Sequence, residues 1–250
     1  PLKMDLSQTL TIYGRKPVLE ALSDASLTPR KLHLAQSNKP GEIVRQIQSA
    51  AKIRGVDIQT HDRGSLSRIS RNGKQDQGVA LDLFCPQFNS LTSFLSALET
   101  EKTSDFRGVL LDGVTNPQNV GMTIRSCCAA GVDAIFYPKK SVAALGPLVI
   151  KASAGTVFSA PIVQCDDALS CVTELQSRGF QIAVMDGGAK TSLFDYHPDT
   201  ATVYVLGGET DGASPQTMRA ANLSLHIPMK NGVESLNVAV TAALVAFYRH

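Results

Sequence analysis

Asn119 and Arg125 are the polar pair in this chain whose spacing best suits chemistry. They stand in the segment 112–125, separated by less than two turns of a helix. On that spacing, both side chains are expected to reach one site above the end of the preceding strand. Taken alone, Arg125 suits a buried structural ion pair with Asp112 or Glu209 better than a catalytic role.

A second segment, residues 207–214, is rich in glycine. Its run Gly207-Gly208-Glu209 gives a flexible backbone that a ligand can approach closely, although a tight turn is the better explanation of the glycines taken alone. No segment reads GxGxxG, and the Gly-Lys pair at 73–74 is followed by Gln rather than Ser or Thr. These absences disfavour NAD and ATP, and with them a nucleotide-dependent oxidoreductase.

A third segment, residues 227–237, joins a strand to an apolar C-terminal helix. The backbone of Ile227 and Met229, with the Leu236 side chain, would line a pocket suited to an adenine ring and a thioether-like tail. Ser235 as a helix cap and Asn237 as a helix-start residue are the simpler interpretations of those two positions.

The three segments follow strands of a predicted α/β pattern that starts at Gly108. Strands are expected near 109–111, 134–136, 182–185, 203–206 and 223–227, and helices near 120–130, 168–178 and 236–248. Near-continuous apolar strands separated by helices predict a parallel sheet covered on both faces. Ligands bind such sheets at the carboxyl ends of the strands, which is where the three segments lie.

The N-terminal part predicts a separate, smaller α/β domain over residues 1–85. It has helix patterns near 16–22 and 42–52 and strand patterns near 31–34, 56–58 and 79–83. The pattern over residues 86–107 predicts a linker with one short amphipathic helix. Residues 108–250 are expected to form the second domain.

Charge separates the same two parts of the chain. The net charge is only +2, but residues 1–85 hold 13 Lys/Arg against 8 Asp/Glu, whereas residues 86–250 hold 11 against 14. A basic N-terminal module would supply contacts to phosphates, although a merely solvated basic face has the same composition.

The cysteines, the histidines and the hydropathy of the chain limit the classes of protein to which it can belong. The five cysteines include the adjacent pair Cys127 and Cys128 and no CxxC pair, which favours reduced thiols that pack in the core. The five histidines lack metal-binding spacing, so no metal is expected. No apolar run is long enough for a bilayer, and the N-terminal residues lack a signal pattern. We therefore expect no membrane partner and a cytoplasmic protein or a processed organellar form.

Together the three segments resemble the motifs of the SpoU/TrmH family of SPOUT RNA 2′-O-ribose methyltransferases. The resemblance spans residues 108–250, in order and spacing, and residues 151–155 are similar to the middle segment of the family. Residues 13–22 and 77–80 resemble the ribosomal-protein-like RNA-binding domain that precedes many members. That domain favours the RlmB-like branch, which modifies 23S rRNA.

The resemblance implies a fold, a cofactor and partners. It implies a SPOUT-type α/β parallel sheet with a C-terminal trefoil knot, preceded by a small α/β RNA-binding domain, with S-adenosylmethionine bound in the knot. It also implies a homodimer and an RNA substrate, expected to be 23S rRNA or a ribosomal particle. The knot follows from the resemblance alone, because general topology rules count knots as rare.

Residue roles carried over from the family fall into two groups. The catalytic group at the reacting ribose is expected to be Arg125, Asn119, Glu209, Ser235 and Asn237. The donor is expected to contact Gly207, Gly208, Ile227, Met229 and Leu236. The family assigns proton abstraction to the arginine, yet a guanidinium in ordinary surroundings stays protonated, so stabilisation of an alkoxide or binding of a phosphate is an open alternative.

Two positions depart from the family pattern: Asn116 replaces a frequent Asp, and Asp76 replaces a His that commonly precedes the Gln-Gly pair. Other targets also stay open. A tRNA ribose methyltransferase or an antibiotic-resistance enzyme would share the chemistry, and a non-catalytic RNA-binding or ribosome-assembly protein would share the fold. A protein sequence seldom encodes its RNA target legibly.

Overall fold

The structure, a computed structural model, describes residues 6–39, 41–98 and 105–248. The chain forms two compact units, Pro1–Pro86 and Gln87–His250. Among the helices of the described residues, none combines the length and the apolar character needed to span a bilayer.

Among its described residues, the first unit has a four-stranded sheet and three α-helices. Its strands are β1 (Thr9–Tyr13), β2 (Thr28–Ala35), β3 (Asp57–His61) and β4 (Val79–Phe84), and its helices are α1 (Arg15–Ser23), α2 (Glu42–Ile53) and α3 (Arg63–Ser70). The strand order is β1-β4-β2-β3, in which β2 and β3 run parallel and the other pairs antiparallel. Leu32, Leu34, Leu81 and Leu83 are fully or nearly fully buried on one face, and the polar residues His33 and Asp82 alternate with them.

A chain of polar side chains crosses the second face of the sheet, from Thr11 on the edge strand β1 to His61 at the end of the other edge strand, β3. His33 hydrogen-bonds through Nε2 to Asp82 Oδ2 and through Nδ1 to His61 Nε2, each at 2.9 Å, and Thr11 donates to the other oxygen of Asp82 at 2.6 Å. Burial acts to raise the pKa of Asp82, but the hydrogen bonds from His33 and Thr11 outweigh it and lower that pKa. Each of these four groups therefore has at least one hydrogen-bond partner within the chain.

Asp76, one of the departures from the family pattern, is a buried structural residue. Its carboxylate accepts hydrogen bonds from the Ser70 hydroxyl at 2.8 Å and from the Gly78 backbone N–H at 2.9 Å. These bonds fix the turn between α3 and β4, so the carboxylate serves the fold of the first unit.

The second unit contains eight strands and six helices among its described residues. Its elements are β5 (Asn89–Ser90), α4 (Leu91–Ala97), β6 (Arg107–Asp112), α5 (Pro117–Ala129), β7 (Ala134–Pro138), α6 (Pro147–Ala152), β8 (Ile162–Cys165), α7 (Ala168–Ser177), β9 (Gln181–Met185), β10 (Thr191–Ser192), β11 (Thr202–Gly207), α8 (Pro215–Ala220), β12 (Leu223–His226) and α9 (Val238–Phe247).

All pairs of the larger sheet are parallel, in the order β10-β12-β9-β11-β6-β7-β8-β5. The predicted parallel α/β sheet is therefore confirmed. Its inner strands are almost entirely buried, as expected when both faces are covered. Because every strand runs the same way, the loops that follow β12, β9, β11, β6 and β7 share one edge, called here the strand-end edge.

The segment 86–107, expected to be a linker, lies mostly within the second unit. Within it, β5 pairs with β8, and Leu91 and Leu95 of α4 are buried in the core of the second unit. Its amphipathic pattern therefore reflects packing rather than a free connection. Residues 99–104 of the predicted linker lie outside the described residues.

Helix α5 is held close to α6 because Gly121 has no side chain. A Cβ built at Gly121 would lie 2.6 Å from Ala152 Cβ and 2.7 Å from the Val149 carbonyl oxygen. Any side chain there would push the two helices apart. Since α5 begins right after β6, this packing also fixes the position of Asn119 in its first turn.

Candidate functional site

A cavity of about 630 Å³ opens at the strand-end edge of the second unit, over β12, β9 and β11. All five residues expected at the donor line this cavity: Gly207, Gly208, Ile227, Met229 and Leu236. Of the residues expected to be catalytic, Glu209 and Ser235 also line it. Its volume falls in the range of about 300–1,000 Å³ that small-molecule sites occupy.

The wall that follows β11 is a tight hairpin made by glycines. The backbones of Gly208 and Gly212 exchange two hydrogen bonds of 3.0 Å. A Cβ built at Gly207 would lie 2.0 Å from both the Ala213 nitrogen and the Gly212 carbonyl carbon, so no other residue fits without moving the backbone. The glycine run is a turn, as its simpler interpretation held, and the turn is also a wall of the cavity.

Three predicted residues form a hydrogen-bonded network beside the cavity. Asn119 Nδ2 donates to Glu209 Oε1, and Asn237 Nδ2 donates to the same oxygen at 2.8 Å and to Asn119 Oδ1 at 3.1 Å. Within the described residues, the second oxygen of Glu209 has no hydrogen-bond partner. The network therefore orients one carboxylate and leaves an oxygen free to accept a further hydrogen bond.

Helix caps explain how two of these loops acquire their geometry. Asn237 caps α9, because its Oδ1 accepts from the Ala239 backbone N–H at 2.8 Å while its Nδ2 serves the network. Asn116 caps α5 in the same way, accepting from Gln118 N–H at 2.9 Å, with Pro117 at the first helical position. The Asn116 departure from the family pattern thus keeps a cap. Ser235 is exposed and is not the cap of α9.

Arg125 does not join Asn119 within one chain. Six residues of helix place the two side chains about 120° apart around α5, and Arg125 is exposed whereas Asn119 is 5% exposed. Within a single chain the two side chains thus lie on different faces of α5, and their joint action at one ribose stays a prediction.

The alternative ion pair of Arg125 is not formed either. Among the described residues, Arg125 makes no salt bridge, and Asp112 instead accepts a hydrogen bond from the Ser214 backbone N–H at 2.8 Å. That bond holds the end of β6 against the start of α8. The guanidinium of Arg125 is thus presented on the outer face of α5.

The sequence interpretation missed one wall of the cavity, the turn after β9. Asp186 and Gly187 line the cavity, and Gly187 lies against the loop 227–237, where a Cβ on it would be 3.8 Å from the Glu234 carbonyl oxygen. The signal was present, because Asp-Gly-Gly follows the apolar run of β9. Further lining residues that the sequence interpretation did not single out are the hydrophobic residues Met185, Leu206, Met218, Leu225 and Val238, together with Thr241.

The cysteines pack as predicted. Cys85, Cys127, Cys165 and Cys171 are buried and unpaired by disulfides, and Cys128 is partly buried. Burial raises the pKa of the Cys127 thiol to about 12, which makes it a poor nucleophile. Among the described residues, no cluster of His, Cys, Asp and Glu has the geometry of a metal site.

The fold and the site define an α/β protein with a ligand cavity at the carboxyl ends of parallel strands and an amide–carboxylate network at its rim. Residues 107–247 match the SpoU rRNA Methylase family, and residues 11–88 match the RNA 2′-O ribose methyltransferase substrate binding family. The chain belongs to the SpoU rRNA Methylase family. The predicted family and enzyme class, an RNA ribose methyltransferase with an N-terminal substrate-binding domain, are confirmed.

Relatives support the same assignment. The chain is 28% identical over 243 residues to the 23S rRNA (guanosine-2′-O-)-methyltransferase RlmB of Xanthomonas campestris, covering 96% of this chain and 95% of the relative. It is 28% identical over 240 residues to a Staphylococcus epidermidis protein named for the TrmH family of tRNA/rRNA methyltransferases, covering 96% and 94%.

Solved structures show the same fold. The SpoU methyltransferase AviRb from Streptomyces viridochromogenes, in complex with AdoMet, superposes with a TM-score of 0.62 at 20% identity over 96% of this chain and 89% of that one. An AdoMet-bound rRNA methyltransferase from Sinorhizobium meliloti superposes with a TM-score of 0.64 at 21% identity over 98% and 87%.

Proposed function

We propose that this protein transfers a methyl group from S-adenosylmethionine to a ribose 2′-hydroxyl of large-subunit ribosomal RNA. The observation that carries the proposal is the cavity at the strand-end edge with the Asn119–Glu209–Asn237 network at its rim. The RlmB relative, similar along nearly its whole length, supports rRNA as the target.

The cavity fits the proposed donor. Apolar side chains such as Leu206, Leu225 and Ile227 suit the adenine ring, and the tight turn at Gly207 lets a ligand approach the backbone. The lining includes four carboxylates and no Lys or Arg, which suits a ligand that carries a sulfonium and an ammonium group. S-adenosylmethionine supplies an activated methyl group for in-line transfer.

The network is proposed to position the acceptor. Asn119 and Asn237 fix Glu209 Oε1, so that the second oxygen of Glu209 can accept a hydrogen bond from the ribose hydroxyl and hold its lone pair toward the donor. Ser235, exposed at the cavity wall, is proposed to contact the same ribose. Positioning and removal of one proton are the main demands of this reaction.

In a homodimer, Arg125 would lie at the interface between the two copies. Met122 lies one turn before Arg125 on the same outer face of α5 and is 42% exposed, and Val240 of the neighbouring α9 is 46% exposed. Helix α9 is apolar on all sides, which is typical of a helix covered on all sides. We infer that a second copy covers α5 and α9 and that Arg125 acts at that interface.

The oligomeric state tests this part of the proposal. Light scattering after size exclusion should give the mass of a dimer for the wild-type protein and a monomer for Val240→Glu, because the charge would be buried at the interface. A wild-type monomer at micromolar concentration would contradict it. The C-terminal trefoil knot is likewise proposed from the family, and an experimentally traced chain path over residues 181–248 tests it.

The function is tested by transfer of radiolabelled methyl groups to unmodified rRNA and tRNA in parallel, with Arg125→Ala as control. Label recovered as an alkali-stable dinucleotide from rRNA is the expected result, since a 2′-O-methyl group blocks alkaline cleavage. Label in tRNA alone would show that the target is tRNA rather than rRNA and would leave the proposed reaction unchanged. Donor binding without label in free rRNA, tRNA or assembled ribosomal particles would favour a non-catalytic RNA-binding protein.

A further inference from the structure

The strand-end edge of the second unit is divided by charge. On one side, over β12, β9 and β11, the cavity lining contains Asp186, Glu209, Asp211 and Glu234 and no Lys or Arg. On the other side, β7 ends at Pro138 and is followed directly by the exposed pair Lys139 and Lys140. The proposed catalytic network lies between the two sides, because Asn119 follows β6, and β6 stands between β11 and β7.

The loop that carries the two lysines is attached to the loop that leads to Asn119. The Ala143 backbone N–H donates to the Val114 carbonyl at 3.0 Å, and the Lys139 backbone N–H donates to the Cys165 carbonyl at 3.0 Å. These bonds anchor the lysine loop between the ends of β6 and β8. The backbone of Lys139 and Lys140 is thus held in place, while their side chains reach solvent.

Neighbouring carboxylates neutralise the lysine pair only in part. Lys140 Nζ lies 3.8 Å from Asp167 Oδ2, but both side chains are well exposed, and such surface pairs contribute little. The other oxygen of Asp167 caps α7 by accepting from Ser170 N–H. Among the described residues, Lys139 makes no salt bridge, so its ammonium group is available to an anionic partner.

We propose that the Lys139–Lys140 loop binds the phosphate backbone of the substrate RNA next to the target nucleotide, so that RNA reaches the network from the side opposite the donor cavity. This inference rests on the proposed function. In-line transfer requires the ribose oxygen and the sulfur of the donor to lie on opposite sides of the methyl carbon. The division of charge meets that demand, because it attracts the cationic donor to one side and the RNA to the other.

The test compares two double variants that each remove two positive charges from the second unit. Lys139→Gln/Lys140→Gln removes the proposed phosphate contacts, and Lys190→Gln/Arg219→Gln is the matched control, since neither residue lines the cavity and Lys190 stands beside the far edge strand β10. RNA affinity is measured against salt concentration for each protein, with S-adenosylmethionine affinity as a check on folding.

The lysine-loop variant should bind RNA roughly tenfold more weakly at low salt, and the slope of log affinity against log salt should fall by about 1.4, the value for two single-strand phosphate contacts. Its donor affinity should equal that of the wild type. A change no larger than that of the control would overturn the inference while methyl transfer by the wild type still upheld the proposed function. A wild-type protein that neither binds nor methylates RNA would overturn both.

Discussion

The two units of this chain use polar residues in opposite ways. In the first unit, Thr11, Asp82, His33 and His61 form one hydrogen-bonded chain across a face of the sheet. In the second unit, the polar groups lie past the ends of the strands, around a cavity, and one oxygen of Glu209 stays available. A structural chain whose groups bond to one another therefore differs from a network that lines a cavity and keeps an acceptor available, and the following predictions test that distinction.

The largest effect is expected from Arg125→Ala. Turnover should fall by about 10²-fold or more, the cost of removing one group that stabilises developing charge. Donor affinity should not change, because Arg125 lies on the outer face of α5 and does not line the cavity. Single-turnover methyl transfer and calorimetric titration with S-adenosylmethionine measure the two quantities.

Arg219→Ala is the matched control, an exposed arginine on α8 of the same unit. Near-normal turnover in Arg125→Ala would exclude an essential role for this arginine, and an equal loss in both variants would show that the effect comes from general charge.

Two substitutions at Asn237 should separate its two tasks. Asn237→Ala removes both the α9 cap and the amide donor, so it should cost about 1 kcal/mol of stability as well as activity. Asn237→Ser keeps a capping oxygen but loses the donor to Glu209, and should retain near wild-type stability with a similar loss of activity. Denaturant unfolding and transfer assays decide between them; an active Asn237→Ser would mean that the network does not position the acceptor.

Asp186→Asn tests the acidic side of the cavity, which the sequence interpretation missed. S-adenosylmethionine should bind about fivefold more weakly, corresponding to roughly 1 kcal/mol for one charge pair about 4 Å apart in a water-like medium. S-adenosylhomocysteine has no sulfonium charge, so its affinity should change less. Titration of both ligands measures this, with exposed Asp199→Asn as control. Equal losses for the two ligands would point to hydrogen bonding rather than charge.

The smallest effect is expected at the polar chain of the first unit. Burial, and then the nearby His33, lower the pKa of His61, so the folded state favours the neutral ring more than the unfolded chain does. The stability gained is complete above the unfolded value of about 6.5 and is lost as pH falls through it toward the folded pKa. Protection of β2 and β3 amides from hydrogen exchange should therefore weaken modestly between pH 7 and pH 5.

His61→Gln keeps a side-chain donor for His33 and cannot titrate, so its amide protection should lack that pH dependence. The same pH dependence in wild type and variant, after correction for intrinsic exchange, would assign the effect to other groups. A separate loss below about pH 4 is expected from Asp82, whose folded pKa is lowered and whose stabilising charge disappears on protonation.

Much of the second unit could be predicted from the sequence because its signals are local. Apolar strands such as β6 and β11, followed by segments rich in Gly, Asn or Pro, identified the parallel sheet and three of the cavity-side loops. β1 was missed although Leu10 and Ile12 alternate with threonines in the pattern of a half-buried strand. Other missed elements are short: β8 is four residues long, and α6 and α8 are six residues each. Tertiary pairing stabilises such elements more than propensity does.

The details of the site depended on information that spacing along the chain does not contain. Asn119, Glu209 and Asn237 meet only because β6, β11 and α9 converge, across sequence separations of 90 and 118 residues. The orientation of Arg125 follows from helical phase, which the distance along the chain alone does not express. The Asp186 turn was passed over because Asp-Gly-Gly also suits an ordinary connection.

The central claim is that the cavity of the second unit binds the methyl donor, and photo-crosslinking tests it most directly. Radiolabelled S-adenosylmethionine is irradiated with the full chain, and the labelled peptides are mapped. The account predicts label within residues 207–213 and 227–236, prevented by excess S-adenosylhomocysteine and lost in Gly207→Ala, whose added Cβ would overlap the hairpin. Label confined to Pro1–Pro86, or label in the second unit that S-adenosylhomocysteine does not prevent, would contradict it.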